Sequence, residues 1–281
     1  MPLDPAGGPE RIRRIQAARE AVQRDSSDLA AWLRLGRRTS EMGRLRDAMG
    51  VYTSAAGIHF TDPRIWRQRG EVLLKLRYLD AAIADLRKAG LLALNQPKFL
   101  EVVLGAGDSL AARDVTSLQY QVPMLLGFAL YCKGNYPAAA EVLAEATKAA
   151  LTPDEQARAL LWLFFAVRRI GDGSGAARVL SLVRPELSES AQLPDITLLQ
   201  GYQGTFPSDS IRKRALARIG PEGTLFSYGI AYVLLLKPEA RADAELWLQR
   251  ARSGADWTAL PYLAAEADLA RLRGNGRTII K

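Results

Sequence analysis

Residues able to do chemistry are few in this sequence and poorly spaced for it. There is one histidine, His59, and one cysteine, Cys132. A two-histidine metal site is excluded, and no spacing supports a serine triad or a Cys–His pair. His59 follows an apolar helical run and precedes Phe60, where an imidazole packs or caps more naturally than it catalyses. The carboxylate pairs Asp154/Glu155 and Asp243/Glu245 are adjacent or alternate, so on a helix their side chains point to different sides and serve as helix-end charges. Two glycine-rich strings, LGAGDSLAARD from Leu104 and IGDGSGAARVL from Ile170, have a superficial likeness to phosphate cradles. Neither is expected to follow a strand, and neither carries the lysine of a P-loop. The second falls on a turn between helices and the first reads as a loop. The expectation is a chain with no catalytic residue, no cofactor and no metal.

The elements holding these residues must be helices. Apolar residues make up 48% and charged residues 24% of 281, the balance of an ordinary core-forming protein. Alanine, leucine, arginine and glutamate dominate, and the Val-Thr-Ile alternation of strands is scarce. The lone cysteine rules out an internal disulfide. The longest apolar stretches, ALLWLFFAV and IAYVLLL, fall well short of the ~20 residues a membrane span needs. The opening MPLDPAGGPERIRR has no apolar run and no lipid-attachment cysteine. The expected location is cytoplasmic as written, or periplasmic if an export signal has been removed.

Net charge is +8 and uneven. Residues 1–95 hold 17 Lys+Arg against 11 Asp+Glu, residues 96–204 hold 9 against 11, and residues 205–281 hold 12 against 8. Basic ends suggest acidic peptides or nucleic acid. The charges are spread over many helices without a lysine-arginine block, which favours a solvated surface. A nucleic-acid-associated regulator remains an alternative reading.

Self-similarity fixes the architecture. Trp66, Gly70, Ala82 and Ala89 follow Trp32, Gly36, Ala48 and Ala55 at an interval of thirty-four residues. That period marks a two-helix repeat whose hairpins cannot bury their apolar stripes alone. Glycine in the first helix and alanines in the second allow close approach, while the tryptophan fills the wedge between neighbours. These residues resemble the tetratricopeptide repeat (TPR) pattern. Units fall at about 29–62, 63–96, 120–153, 157–190 and 223–254, with Arg77 replacing the turn glycine of the second and Phe164 the helix glycine of the fourth. The resemblance implies an all-α fold: a TPR helix-turn-helix solenoid, a right-handed superhelix with N- and C-terminal capping helices, running as one domain over 9–273. Segments 97–118 and 184–220 read as irregular helical segments, 257–273 as a capping helix, and 1–8 and 274–281 as flexible termini. Capping chemistry agrees at Asp62-Pro63, at Asn135 and at Thr152-Pro153-Asp154-Glu155, which reads as a capping box.

What the resemblance implies about function is a concave groove lined by the first helices. The groove positions hold Arg34, Arg37, Arg67, Glu71 and Lys75 in the first two units, Met124, Phe128 and Tyr131 in the third, and Leu161 and Phe165 in the fourth. Phe128, Tyr131 and Cys132 read equally well as core beneath segment 97–118. An open face of this kind would bind a protein or peptide, acidic or amphipathic. The carboxylate clamp of chaperone-type TPRs needs a lysine and an asparagine where this chain has Leu33 and Arg37, so that ligand is not expected. The C-terminal half, through LLWLFFAVRRIGDGSGAARVL, LLQGYQGTFPSDSI and YGIAYVLLLKPEARADAELWLQRA, also resembles the bacterial outer-membrane TPR lipoproteins. That resemblance implies a dimeric periplasmic adaptor for cell-wall hydrolases and a protease. The expected function is a non-catalytic scaffold, with the periplasmic adaptor as an alternative and a homodimer as one expected state.

Overall fold

Carboxylate caps and tight turns cut the chain into helices. Asp28 accepts the amides of Ala30 (2.8 Å) and Ala31 (3.2 Å), and Asp62 accepts that of Arg64 (2.9 Å) ahead of a proline in the first helical turn. These bonds satisfy donors that the first turn of a helix leaves orphaned. At the turns, Gly43, Gly134 and Gly171 all have positive φ, and so does Arg77 (φ 68°), which stands where the second unit lacks its glycine. A side chain there carries a backbone cost that glycine does not.

The computed structural model describes residues 8–94, 96, 100–103, 114–183, 193–217, 220–254 and 256–274. The expected flexible termini lie almost wholly outside the described residues, as do nearly all of LGAGDSLAARD and residues 184–192. Where the sequence predicts one domain, the chain divides into two compact units, Met1–Pro97 and Lys98–Lys281.

Unit 1 holds α1 (Gly8–Arg24), α2 (Leu29–Glu41), α3 (Leu45–Ile58), α4 (Pro63–Lys75) and α5 (Leu79–Ala93), each packed on the next, with α2 also touching α4. The thirty-four-residue period is visible atom by atom. The indole N–H of Trp32 donates to the Ser26 carbonyl (2.8 Å), and that of Trp66 to the Phe60 carbonyl (2.9 Å). A Cβ on Gly36 would lie 2.3 Å from the Tyr52 ring, and one on Gly70 would lie 2.8 Å from Leu86 Cγ. Both first helices thus press so closely on their second helices that only hydrogen fits. Ala48, Ala55, Ala82 and Ala89 are fully buried on the other side of the seam. Helix α1 covers the open end of the first repeat, joining Ile15, Ala18 and Val22 to Ala31 and Leu35.

Unit 2 opens with a correction. Residues 97–118 are expected to be irregular helix, but Leu100–Val103 (β1) and Asp114–Ser117 (β2) pair antiparallel, Leu100 opposite Ser117. Their sequences, LEVV and DVTS, carry the β-branched residues that favour an extended chain. The LGAGDSLAARD string therefore does follow a strand, contrary to expectation, but it leads into another strand and still lacks the P-loop lysine.

Helical hairpins follow: α6 (Leu118–Lys133) with α7 (Tyr136–Ala149), α8 (Pro153–Ile170) with α9 (Gly173–Ser181), α10 (Pro194–Gln203) with α11 (Ser208–Ala217), and α12 (Pro221–Leu235) with α13 (Arg241–Ala251), the last pair joined through a 3₁₀ turn at Pro238–Ala240. The α10–α11 hairpin supplies the helices of the segment 184–220, which the sequence reads as irregular helical. Helix α14 (Leu260–Leu272) closes the unit, packing against α6, α12 and α13. Its residues Leu263, Ala264, Ala265, Ala267, Asp268 and Leu269 are all buried. Among the described residues no helix is long and apolar enough to cross a membrane.

Candidate functional site

In unit 1 the first helices of the two repeats present charge. Arg34 is exposed and pairs with Asp28 (3.4 Å), and Arg37 approaches Glu41 (3.8 Å). One turn apart along α4, Arg67 and Lys75 grip the two oxygens of Glu71 from either side, at 3.0 and 2.7 Å. Burial pushes the Glu71 carboxyl up, but Lys75 and Arg67 outweigh it and hold the group at about 2. Between the helices the buried Tyr52 hydroxyl is pushed above its ordinary range, by burial first, in a field set by Arg67, Glu71, Arg37 and Glu41. These four charged groups therefore form one cluster spanning α2 and α4. Arg67 is itself only 5% exposed, so of the charged candidates it is a strut of the face rather than a free contact.

The apolar candidates of unit 2 take another role. Met124, Phe128, Tyr131, Leu161 and Phe165 are all buried, none more than 3% exposed, and they do not line an open trough. What covers them is other helices. Phe128 and Tyr131 on α6 meet the Trp162 ring edge-on at 4.6 and 5.5 Å, and Trp162 in turn stacks on Tyr228 of α12 at 5.7 Å. Phe165 lies 4.3 Å from the Tyr232 ring, whose hydroxyl donates to the Phe165 carbonyl (3.0 Å). The core reading of Phe128 and Tyr131 is thus the right one, with α8, α12 and α14 as the cover.

A buried polar knot sits in this aromatic core. Asp268 of α14 accepts from Arg169 of α8 (2.7 Å), the Tyr228 hydroxyl (2.9 Å) and Arg271 (2.8 Å). Arg271 also donates to the Cys132 carbonyl (2.8 Å), and the Tyr131 and Tyr228 hydroxyls share a 2.7 Å bond. Sequence reasoning missed Asp268 altogether, because a lone carboxylate in an apolar-rich terminal helix carries no mark of which partners it meets. Desolvation drives the Tyr131 and Tyr228 phenols well above their ordinary range, so they stay neutral. Every member of the knot is engaged with another, which is the chemistry of a lock between helices.

Residues suspected of chemistry are placed as follows. His59 ends α3, its amide bonded to the Ala55 carbonyl at 2.8 Å, and Cys132 is buried on α6. Thr152 accepts the Glu155 amide (3.2 Å), while the Glu155 carboxylate turns to the Leu151 amide (2.7 Å) and the Thr116 hydroxyl (2.5 Å). That is half of the expected capping box, its other arm recruited to anchor β2. Glu245 pairs with Arg273 (2.8 Å). Asp195 is pushed up, chiefly by burial with Arg158 opposing, and among the described residues no group of three or more His, Cys, Asp or Glu could hold a metal.

No protein-family model matches this sequence, and no curated protein matches it. Solved structures do match. A tetratricopeptide repeat protein from Parabacteroides merdae aligns over 92% of this chain and 94% of its own, at 14% identity and a TM-score of 0.54. The fold is that of the tetratricopeptide repeat. MamA aligns over 63% of this chain and 88% of its own, at 17% identity and a TM-score of 0.49. At 14% identity the likeness to the Parabacteroides merdae protein is one of fold.

Proposed function

We propose that this chain is a non-catalytic TPR scaffold that holds a protein or peptide segment against the α2–α4 face of unit 1. The observation that carries this reading is the set of charged side chains Arg34, Arg37, Glu71 and Lys75, half-buried to exposed on neighbouring first helices, with the buried Arg67 paired to Glu71. Each cation of the cluster already has a carboxylate partner. An incoming acidic or amphipathic segment must exchange its own carboxylates for Glu41 and Glu71, so binding is moderate and weakens with salt. In unit 2 the corresponding positions of α6 and α8 are spent on its own core.

The test is a pull-down from native lysate with wild-type protein and with Arg34→Glu/Arg37→Glu. Arg34 is exposed and Arg37 is half-buried, so circular dichroism and melting of the variant are measured alongside to certify its fold. Loss of a partner from the variant supports the reading. Equal recovery of every partner overturns it. Arg67→Glu is the wrong probe, since it would set a second carboxylate against Glu71 in a buried position.

A further inference from the structure

Ion pairing is unevenly distributed over the basic residues. On unit 1 the arginines of the charge cluster all find carboxylates. On the α11–α13 side of unit 2 they find rings and carbonyls instead. The Arg212 guanidinium lies over Trp247 at 5.7 Å, that of Arg214 over Phe206 at 5.2 Å, and that of Arg252 over Tyr262 at 5.9 Å. Among the described residues no carboxylate comes within 4.0 Å of Arg212, Lys213, Arg214 or Arg252. Asp209, one turn before Arg212 and Lys213 on the same helix, stays outside that distance. A cation resting on a ring keeps its N–H edge available to an anion.

Two exposed leucines flank these cations. Leu216 on α11 is 55% exposed and Leu246 on α13 is 63% exposed. The two helices are stitched together there: Arg250 donates to the carbonyls of Ala215 (3.0 Å) and Leu216 (2.9 Å), while Arg212 covers Trp247. Leu246 precedes Trp247 by one residue and Arg250 by one turn, so both leucines border the seam. The surface thus combines uncompensated positive charge with apolar side chains on rigid helices. Isolated exposed leucines are ordinary, but leucines beside unpaired, ring-supported arginines form a face with a complement.

We infer that the α11–α13 face of unit 2 is a docking surface for an acidic amphipathic helix of a protein partner, separate from the α2–α4 face. Carboxylates of that helix meet Arg212 and Lys213, and its apolar stripe covers Leu216 and Leu246. Nucleic acid would use the cations and leave the leucines wet. An anionic membrane would use both, without regard to helical spacing.

The experiment is fluorescence anisotropy on the full chain with four probes. These are a labelled helical Glu/Leu peptide of about sixteen residues with leucines at i, i+3, i+4 and i+7, a Glu/Ser peptide of equal charge, a short DNA duplex, and vesicles containing anionic lipid. The expected result is binding of the Glu/Leu peptide and much weaker binding of the other three. Arg212→Glu/Lys213→Glu should weaken the Glu/Leu peptide at least tenfold, and Leu216→Ser/Leu246→Ser several-fold. Arg34→Glu/Arg37→Glu should leave it unchanged, which separates this surface from the unit 1 face. All six positions are exposed or half-buried, and unchanged far-UV circular dichroism certifies the fold. No binding of the Glu/Leu peptide, undiminished binding by both unit 2 variants, loss through the unit 1 variant, or tighter binding of DNA or vesicles would each overturn the inference.

Discussion

The first helices of the two units begin from the same repeat grammar and end in opposite states. In unit 1, α2 and α4 carry arginine, glutamate and lysine at the positions that face inward in a TPR, and all but the buried Arg67 stay half-buried to exposed, each in an ion pair. In unit 2, α6 and α8 carry Met124, Phe128, Tyr131, Leu161 and Phe165 at the same positions, and every one is buried. The difference is made by α12 and α14, which pack on those faces within unit 2 and bring Asp268 to the centre. An apolar groove position attracts whatever apolar surface its own chain can supply. A charged one keeps its water or its partner and so remains available to others. The helical hairpin is therefore a neutral frame, and the side chains at a few inward positions decide whether its face is filled by its own chain.

The sharpest way to break this contrast is at its two acids. Asp268→Ala leaves Arg169 and Arg271 facing each other's charge in a buried site, and should cost unit 2 about 3–5 kcal/mol. Thermal unfolding followed at a unit 2 probe must fall steeply while unit 1 holds; a shift shared equally by both units would show that they do not fold independently. Next in size is Gly36→Leu, whose Cβ alone would sit 2.3 Å from the Tyr52 ring. Overpacking there should cost about 1–3 kcal/mol or more. An unchanged denaturant midpoint would mean that the seam between α2 and α3 is misread.

Glu71 supplies a pH test on unit 1. Its carboxyl is held at about 2, below the ordinary 4.5, so its ion pairs stabilise the fold above about pH 4.5 and are lost as pH falls toward 2. Glu71→Gln should lower stability at neutral pH and flatten that part of the acid-unfolding curve, so that wild type and variant converge as pH approaches 2. Wild-type and variant curves that stay parallel down to pH 2 would contradict the pairing. The smallest effect belongs to Arg77→Gly. Relieving a left-handed residue gains about 1–2 kcal/mol, offset in part by the extra entropy of glycine in the unfolded chain. A net stabilisation of about 0.5–1 kcal/mol in chemical denaturation is expected, and a loss would show that the Arg77 side-chain bond to the Lys75 carbonyl matters more than its backbone.

Much of this was open to reading in the residues. Trp32 and Trp66 make equivalent indole bonds, Gly36 and Gly70 face equivalent crowding, and Gly43, Gly134 and Gly171 turn where a turn was expected. Spacing reports such features because they are local, set by neighbours within one hairpin. The β1–β2 pair and the identity of the helices that cover Phe128 and Tyr131 escaped that reading. A four-residue strand such as LEVV has too little length to show a period, and the core positions look the same whether covered or open.

The sequence by itself determined the two-helix repeat, its register and the absence of a histidine- or cysteine-built centre, since these follow from residue types at fixed intervals along one chain. Only the tertiary structure decided which inward face is filled. That choice rests on α14 meeting α6 across more than a hundred residues, through Arg271 and the Cys132 carbonyl, and on Asp268 finding Arg169. Contacts between parts so distant in sequence leave no periodic trace, because each partner's type is set by the other and not by its place in the repeat.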